Sequence, residues 1–224
     1  SGRLPDEPAL ENLLDTVRRV RPDRVPELLM NLGNIAVQRR EFDLAERHFV
    51  DAARLFEAGG REIDAWRARH AAAVVLRLTG RASKALPRLR EVLARMHELG
   101  REVNSAEVEF NLALVLRDLG SPDARPFALH AFEVLDAHRH DAPSAADRAG
   151  ILNVTYPHVL DLALELARDD PDLVAALAER SRTQTAYLTG ATTQERLAAP
   201  VPVRARAGQA VVGGKGTEEI LSER

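Results

Sequence analysis

Residues 80–100 read GRASKALPRLREVLARMHELG, a segment of helical apolar periodicity bounded by two glycines. The same spacing continues on both sides, because Gly60, Gly80, Gly100 and Gly120 follow one another at intervals of 20 residues. A glycine just past a helix adopts the left-handed conformation that ends the helix, and it has no Cβ to oppose that conformation. The spacing therefore predicts one helix and one turn per interval, and a helical hairpin from every two intervals.

The segments between these glycines carry apolar residues at helical spacing. In the two central segments these residues are Ile63, Trp66, Val74, Val75 and Leu78, then Leu86, Leu89, Val92, Leu93 and Met96. Four prolines, Pro26, Pro87, Pro122 and Pro171, fall near expected helix starts, where a backbone N–H lacks an intrahelical partner. Asp170 is the expected N-cap of the last helix. Pro157 lies inside an otherwise helical run and predicts a kink or break there.

Composition excludes several classes of protein. Of 224 residues, 45% are hydrophobic and only 4% aromatic, which favours close-packed helices built from Ala, Leu and Val. The net charge of -3 does not indicate binding to nucleic acid or to an anionic membrane. The sequence has no apolar run long enough to span a bilayer and no signal-peptide pattern at its start. It has no cysteine, and hence no thiolate ligand or nucleophile. We expect a cytoplasmic protein with neither a nucleic-acid nor a membrane partner.

The stretch Asn31–Asn34, followed by Phe42, Ala45, Phe49 and Ala52, resembles a tetratricopeptide repeat almost position for position. Packing gives the physical reason, because small residues such as Gly33 and Ala45 let two helices approach closely. Two further copies share the pattern, the third with three extra residues between its helices. Their matching positions are Ala72, Ala73, Leu76, Gly80, Ala85, Leu89 and Val92, then Leu112, Ala113, Leu116, Gly120, Ala128, Phe132 and Leu135.

The resemblance implies an all-α protein, a right-handed superhelical solenoid of antiparallel helix pairs. We divide the chain into an N-terminal helix at 1–23, about four helix pairs at 24–188, the last degenerate, and a flexible linker or tail at 189–224. The first helix is either part of another repeat or a cap, and we favour the former.

The resemblance also implies a groove lined by the first helix of each pair, where this family holds an extended peptide or a partner helix. The groove positions carried over are Met30, Asn34, Gln38, Arg67, His70, Val74, Arg77, Phe110, Asn111, Leu114 and Arg117, with Glu27, Val37, Leu78, Glu107 and Asp118 beside them. Asn34 matches the residue that, in this family, holds the main chain of a bound peptide. Met30 stands where the carboxylate-clamp members of the family have lysine, so the chain departs from that ligand class.

Other candidate sites are weaker. Gly213–Thr217 lacks the first glycine and the final Ser or Thr of a phosphate loop, and we interpret it as linker. His138, His140 and Asp141 sit at a helix end, where cationic His suits the helix dipole, and His48, His97 and His130 have no metal-ligand spacing. The sequence contains neither His-Glu-x-x-His nor Gly-x-Ser-x-Gly. We therefore expect no metal, no cofactor and no enzymatic activity of the chain itself.

Function follows from the resemblance. Forty-residue copies with connections such as Leu99-Gly100-Arg101 are similar to repeats in two kinds of multidomain bacterial protein. One couples the repeats to a caspase-like CHAT protease, and the final helix of those repeats often resembles Leu177–Arg182. The other is the STAND-type ATPase regulators. We expect a regulatory module that binds a protein or peptide, with an effector domain of the same polypeptide as one candidate partner. The alternative is an autonomous adaptor or assembly scaffold.

The charge of the ligand is a separate question. Arg77 and Arg117 fall at equivalent groove positions and, with Arg67 and His70, predict a basic strip suited to an acidic segment. The opposing interpretation is that acids at helix starts and bases at helix ends satisfy the helix dipoles alone.

Overall fold

The computed structural model describes residues 7–141 and 145–189, and within them the side chains of 12–101, 103–138 and 156–181. Over these ranges the chain is helix and short turn, without a strand, which confirms the all-α class. The helices are α1 (Glu7–Val20), α2 (Val25–Gln38), α3 (Phe42–Ala58), α4 (Glu62–Leu78), α5 (Ala82–Glu98), α6 (Glu102–Asp118), α7 (Ala124–Asp141), α8 (Ala145–Leu166) and α9 (Pro171–Thr189). A 3₁₀ turn, Pro22–Arg24, joins α1 to α2.

Each helix packs on the next one along the chain, and two alternate pairs, α4 with α6 and α6 with α8, also touch. We call α2, α4, α6 and α8 the first helices, because each is followed by its hairpin partner. Helix α6 is therefore flanked by two other first helices as well as by α5 and α7.

The glycine turns are confirmed. Gly60, Gly80, Gly100 and Gly120 have φ values of 69°, 73°, 63° and 69°. At the end of α4, Gly80 N–H donates to Arg77 O and the next N–H donates to Leu76 O at 2.8 Å. These two bonds satisfy carbonyl groups that the helix end would leave free. The turn after α2 has the same backbone without a glycine, and there Arg40 adopts φ 62°.

The expected helix starts are confirmed in part. Asp170 caps α9, because its Oδ1 accepts a hydrogen bond from Leu173 N–H at 3.1 Å. Pro87 is instead the sixth residue of α5, where the carbonyl of exposed Ser83 loses its helical donor and faces water. The break predicted at Pro157 does not occur, since α8 continues through it to Leu166.

The close approach of α2 and α3 has a visible cause. A Cβ placed on Gly33 would lie 2.5 Å from Cε1 of Phe49, so only glycine fits there. Ala45 is also fully buried. The core along the chain is mainly Ala, Leu and Val, as the composition predicts, and Phe49, Phe110 and Phe132 are its largest fully buried side chains.

Some predictions fall outside the described residues. They concern the tail beyond Thr189, including Gly213–Thr217, and the side chains of His140 and Asp141.

Candidate functional site

The predicted groove residues lie on α2, α4 and α6, and six of the eleven are buried within the chain. These are His70, Val74, Arg77, Phe110, Asn111 and Leu114. Val74, Phe110 and Leu114 belong to the hydrophobic core, so a partner meets none of them on the surface of this structure. Met30, Asn34, Arg67 and Arg117 are partly exposed and Gln38 is exposed.

The sequence carried a signal for this burial. Residues 71–76 read AAAVVL and residues 112–116 read LALVL, so the C-terminal halves of α4 and α6 contain segments that are apolar all round rather than along one stripe. A helix of that kind is surrounded by other helices. The groove assignment assumed that one face of each first helix was free, whereas α6 has neighbours on both sides.

His70 and Asn111 link α4 to α6 inside the chain. The amide Nδ2 of Asn111 lies 3.1 Å from Nε2 of His70 and also donates to Glu107 O at 3.0 Å. Burial lowers the pKa of His70 to about 4, and the nearby Arg67 charge acts in the same direction. His70 is therefore neutral at pH 7 and serves as a buried acceptor rather than as part of a basic strip.

Arginines near the C-terminal ends of α4 and α6 form an ion-pair ladder. Arg77 Nε lies 2.8 Å from Asp118 Oδ2, and Arg117 lies 3.1 Å from both Asp118 Oδ1 and Glu165 Oε2. Burial lowers the pKa of Arg77, and the charge of Asp118 opposes that shift. The ladder joins α4, α6 and α8, and an acidic ligand would have to compete with two carboxylates for these arginines.

The N-terminal halves of the first helices carry a second charged group. Glu27 forms a short ion pair with Arg61, which also binds Asp64 at 2.8 Å. Arg67 lies 3.6 Å from the same Asp64. Glu107 follows on α6, where burial raises its pKa and the Arg67 charge opposes the shift.

Helix α8 adds Asp161, whose pKa is raised by burial alone. Among the described residues, neither Glu107 nor Asp161 has an ion-pair partner or a hydrogen bond to its carboxylate. Two acceptor atoms, Glu27 Oε2 and Asn34 Oδ1, are buried and have no hydrogen-bond partner among the described residues, and the same is true of one donor, Arg77 Nη1. Unmatched buried acceptors are uncommon in folded proteins, so this surface can accept donors from outside.

One polar cluster was missed. Glu109, 3% exposed, lies between two exposed histidines, with His130 Nδ1 2.5 Å from its Oε2 and His97 Nε2 3.6 Å from its Oε1. The cluster joins α5, α6 and α7, and its members are too far apart in sequence for any spacing rule to connect them. In the described part of the chain, no three such side chains are arranged to hold a metal ion.

Two clefts are lined by other residues of the chain. One of about 370 Å³ lies among α1, α2 and α3, over Leu32 and Ile35. The other, about 480 Å³, lies among α3, α4 and α5. In the latter, Arg69 stacks 4.3 Å from the centre of the Trp66 ring and binds both oxygens of Glu57 at 2.9 Å. Arg69 is thus already committed within the chain.

No helix over the described ranges has the length and apolar character needed to cross a bilayer. Comparison with protein-family models found no matching family, and comparison with curated proteins found no match. Among solved structures, the chain is similar to BtubC (BKLC) from P. vanneervenii, with a TM-score of 0.63 and 16% sequence identity. The similarity covers 91% of this chain and 78% of BtubC. At this identity the likeness concerns the fold alone.

Proposed function

We propose that the chain is a tetratricopeptide-like solenoid, a right-handed superhelix of antiparallel helix pairs that binds a protein or peptide along its first helices. The repeat of helix and glycine turn supports the solenoid, as does contact between alternate helices. Each hairpin buries its apolar surface only against its neighbours, as expected of a repeat array.

The observation that carries the binding proposal is Asn34. Its Oδ1 is buried without a hydrogen-bond partner, on a helix where Met30 and Gln38 are accessible. A main-chain N–H of a bound segment would satisfy that oxygen, whereas burial without a partner costs about 1–3 kcal/mol. The family resemblance independently assigns the same residue to peptide binding.

The chain acts in this proposal as the recognition part of a larger bacterial protein and performs no catalysis of its own. An attached CHAT protease is one candidate effector, and a STAND-type ATPase regulator is another. The alternative is an adaptor or scaffold without an effector. The coding sequence flanking this chain distinguishes these possibilities.

Selection from a random-peptide display library tests the binding proposal on the purified chain. Selected peptides should lose at least about tenfold in affinity to the Asn34→Leu and Gln38→Ala double variant. The matched control is Arg90→Ala with Ala94→Leu on α5, where both residues are exposed. Peptides that bind both variants as they bind the unmodified chain, or a library that yields no ligand, would refute the proposal.

A further inference from the structure

The first helices have more negative charge than their arginines neutralise. Three of their charged residues are paired with other helices. Glu62 pairs with α5 and Arg69 pairs with α3. Glu109 pairs with both α5 and α7. The other charged residues of these helices whose side chains the structure describes, together with Arg61 directly before α4, define the first-helix face. Its charged residues are Glu27, Arg61, Asp64, Arg67, Arg77, Glu107, Arg117, Asp118, Asp161 and Glu165.

Every arginine of the first-helix face forms an ion pair within the described part of the chain, although Nη1 of Arg77 is buried there without a hydrogen-bond partner. Arg61 and Arg67 bind Asp64, and Arg61 also binds Glu27. Arg77 and Arg117 bind Asp118, and Arg117 also binds Glu165. The two carboxylates that remain without an ion pair in the described part of the chain are those of Glu107 and Asp161. Among the described residues of this face, the charge that no ion pair balances is therefore negative.

The ion pair between Arg117 and Glu165 allows the distance between the carboxylates of Glu107 and Asp161 to be estimated. Asp161 lies four residues before Glu165, and Glu107 lies ten residues before Arg117, which is paired with that glutamate. At the helical rise of 1.5 Å per residue, they differ by about 9 Å along the helices. With neighbouring axes about 8–10 Å apart, the carboxylates are roughly 12–13 Å from each other. In an extended chain, side chains four residues apart span about 13 Å and point to the same side.

We propose that the first-helix face binds an extended basic segment, with two Lys or Arg side chains four residues apart that pair with Glu107 and Asp161. This inference rests on the proposed binding function and specifies the partner's chemistry. It also explains the burial of Glu27 Oε2, an acceptor that the chain leaves without a donor at the other end of the face. A donor-rich partner matches these groups, whereas an acidic one would have to displace Asp118 and Glu165 from their arginines.

Three fluorescein-labelled synthetic decapeptides of Gly, Ser and Leu provide the probe. One carries two lysines four residues apart, the second carries two lysines side by side, and the third carries two glutamates four residues apart. Fluorescence anisotropy at low salt should show the first peptide binding at least about tenfold more tightly than the third, and more tightly than the second. The difference between the first and third should shrink in 0.5 M salt because the Debye length falls below about 5 Å.

The double variant Glu107→Gln with Asp161→Asn should weaken binding of the first peptide by at least about tenfold. The control, Glu91→Gln with Glu133→Gln, removes two exposed carboxylates from α5 and α7 and should leave binding unchanged. Circular dichroism establishes that both variants are folded. Equal or tighter binding of the glutamate peptide, or no effect of the double variant, would overturn the inference.

The proposed binding function and the basic-partner inference are refuted by different results. If no lysine peptide binds, yet displayed peptides still depend on Asn34 and Gln38, the basic-partner inference is wrong and the binding function stands. If neither peptide set depends on the first-helix face, both proposals are refuted.

Discussion

Arg77 Nε lies 2.8 Å from Asp118 Oδ2, and the two residues are separated by 41 positions in the chain. His70 and Asn111, also 41 positions apart, make the other polar link between α4 and α6. The paired residues of α4 and α6 are thus offset by one position from the 40-residue sequence repeat. The ion pair and the His70–Asn111 hydrogen bond fix the register of α4 against α6 at two positions along the helix axes.

Removing the negative charge of Asp118 should destabilise the fold. Asp118→Asn leaves Arg77, whose side chain is 6% exposed, without its closest counter-charge. Because Asp118 itself is 32% exposed, we expect a loss of about 1–3 kcal/mol in the free energy of unfolding, below the range for a fully buried pair. Urea denaturation of the variant measures the loss.

A double-mutant cycle isolates the contribution of this pair. Arg77→Met should also destabilise, but the double variant should cost less than the sum of the single changes, because no buried cation remains. Asp169→Asn, at a side chain 92% exposed, is the matched control and should change stability by less than about 0.5 kcal/mol. Additive single changes would mean that the pair is not coupled.

Gly33→Ala should destabilise the first hairpin despite alanine's better helix propensity. The added methyl would lie 2.5–2.8 Å from three atoms of the Phe49 ring, which is fully buried, so the ring and its neighbours would have to shift. We expect a net loss of about 1–3 kcal/mol in unfolding free energy, measured by urea denaturation. In the Gly33→Ala background, Phe49→Leu should cost less than it does alone. A stabilised Gly33→Ala variant would contradict the close approach of α2 and α3.

Ala45→Leu tests the same hairpin from the other helix. Ala45 is fully buried beside α2, so the larger side chain should overpack the core and cost about 1–3 kcal/mol. Ala94→Leu places the same side chain on an exposed position of α5 and should be nearly neutral. Equal denaturation midpoints for the two variants would count against the repeat alignment.

The helical class and the positions of four turns could be predicted from the sequence because they depend on local signals. A glycine with positive φ ends a helix wherever it lies, and apolar spacing marks the buried side of α3 and α5. Arg40 has the same left-handed backbone as those glycines, but arginine has no preference for that conformation from which the turn could be predicted. The turn after α2 was therefore inferred only from its neighbours.

The binding residues were harder to predict because accessibility depends on contacts between helices. Val74 and Leu114 occupy groove positions by analogy, yet both lie in the hydrophobic core. The ion pairs of Arg117 reach Glu165 on α8, a residue 48 positions away that no pattern connects to it. The sequence predicted a basic strip or charges that only satisfy the helix dipoles, whereas the ion pairs identify which carboxylates remain unpaired in the described part of the chain.

The buried imidazole of His70 should make stability fall in mildly acidic solution. Its pKa is about 4 in the folded chain against an ordinary 6.5, so below pH 6.5 the unfolded state binds more protons than the folded state. The stability that neutral His70 contributes is complete above pH 6.5 and falls as pH drops toward 4. The full pKa difference of His70 corresponds to a loss of about 3 kcal/mol in the free energy of unfolding at acid pH. Glu107 and Asp161 act in the opposite sense, because their raised pKa values favour protonation of the folded state.

The comparison of the unmodified chain with His70→Gln separates this effect from the other titrating groups. Glutamine keeps an acceptor for Asn111 but does not titrate, while Glu107, Asp161 and the remaining histidines are common to both proteins. Urea denaturation between pH 7.5 and 4.0 should therefore show the unmodified chain losing about 3 kcal/mol more than the variant. The extra loss should begin near pH 6.5, where the unfolded imidazole starts to bind protons. Parallel stability profiles would contradict the burial of a neutral His70, since a solvated imidazole would titrate alike in both states.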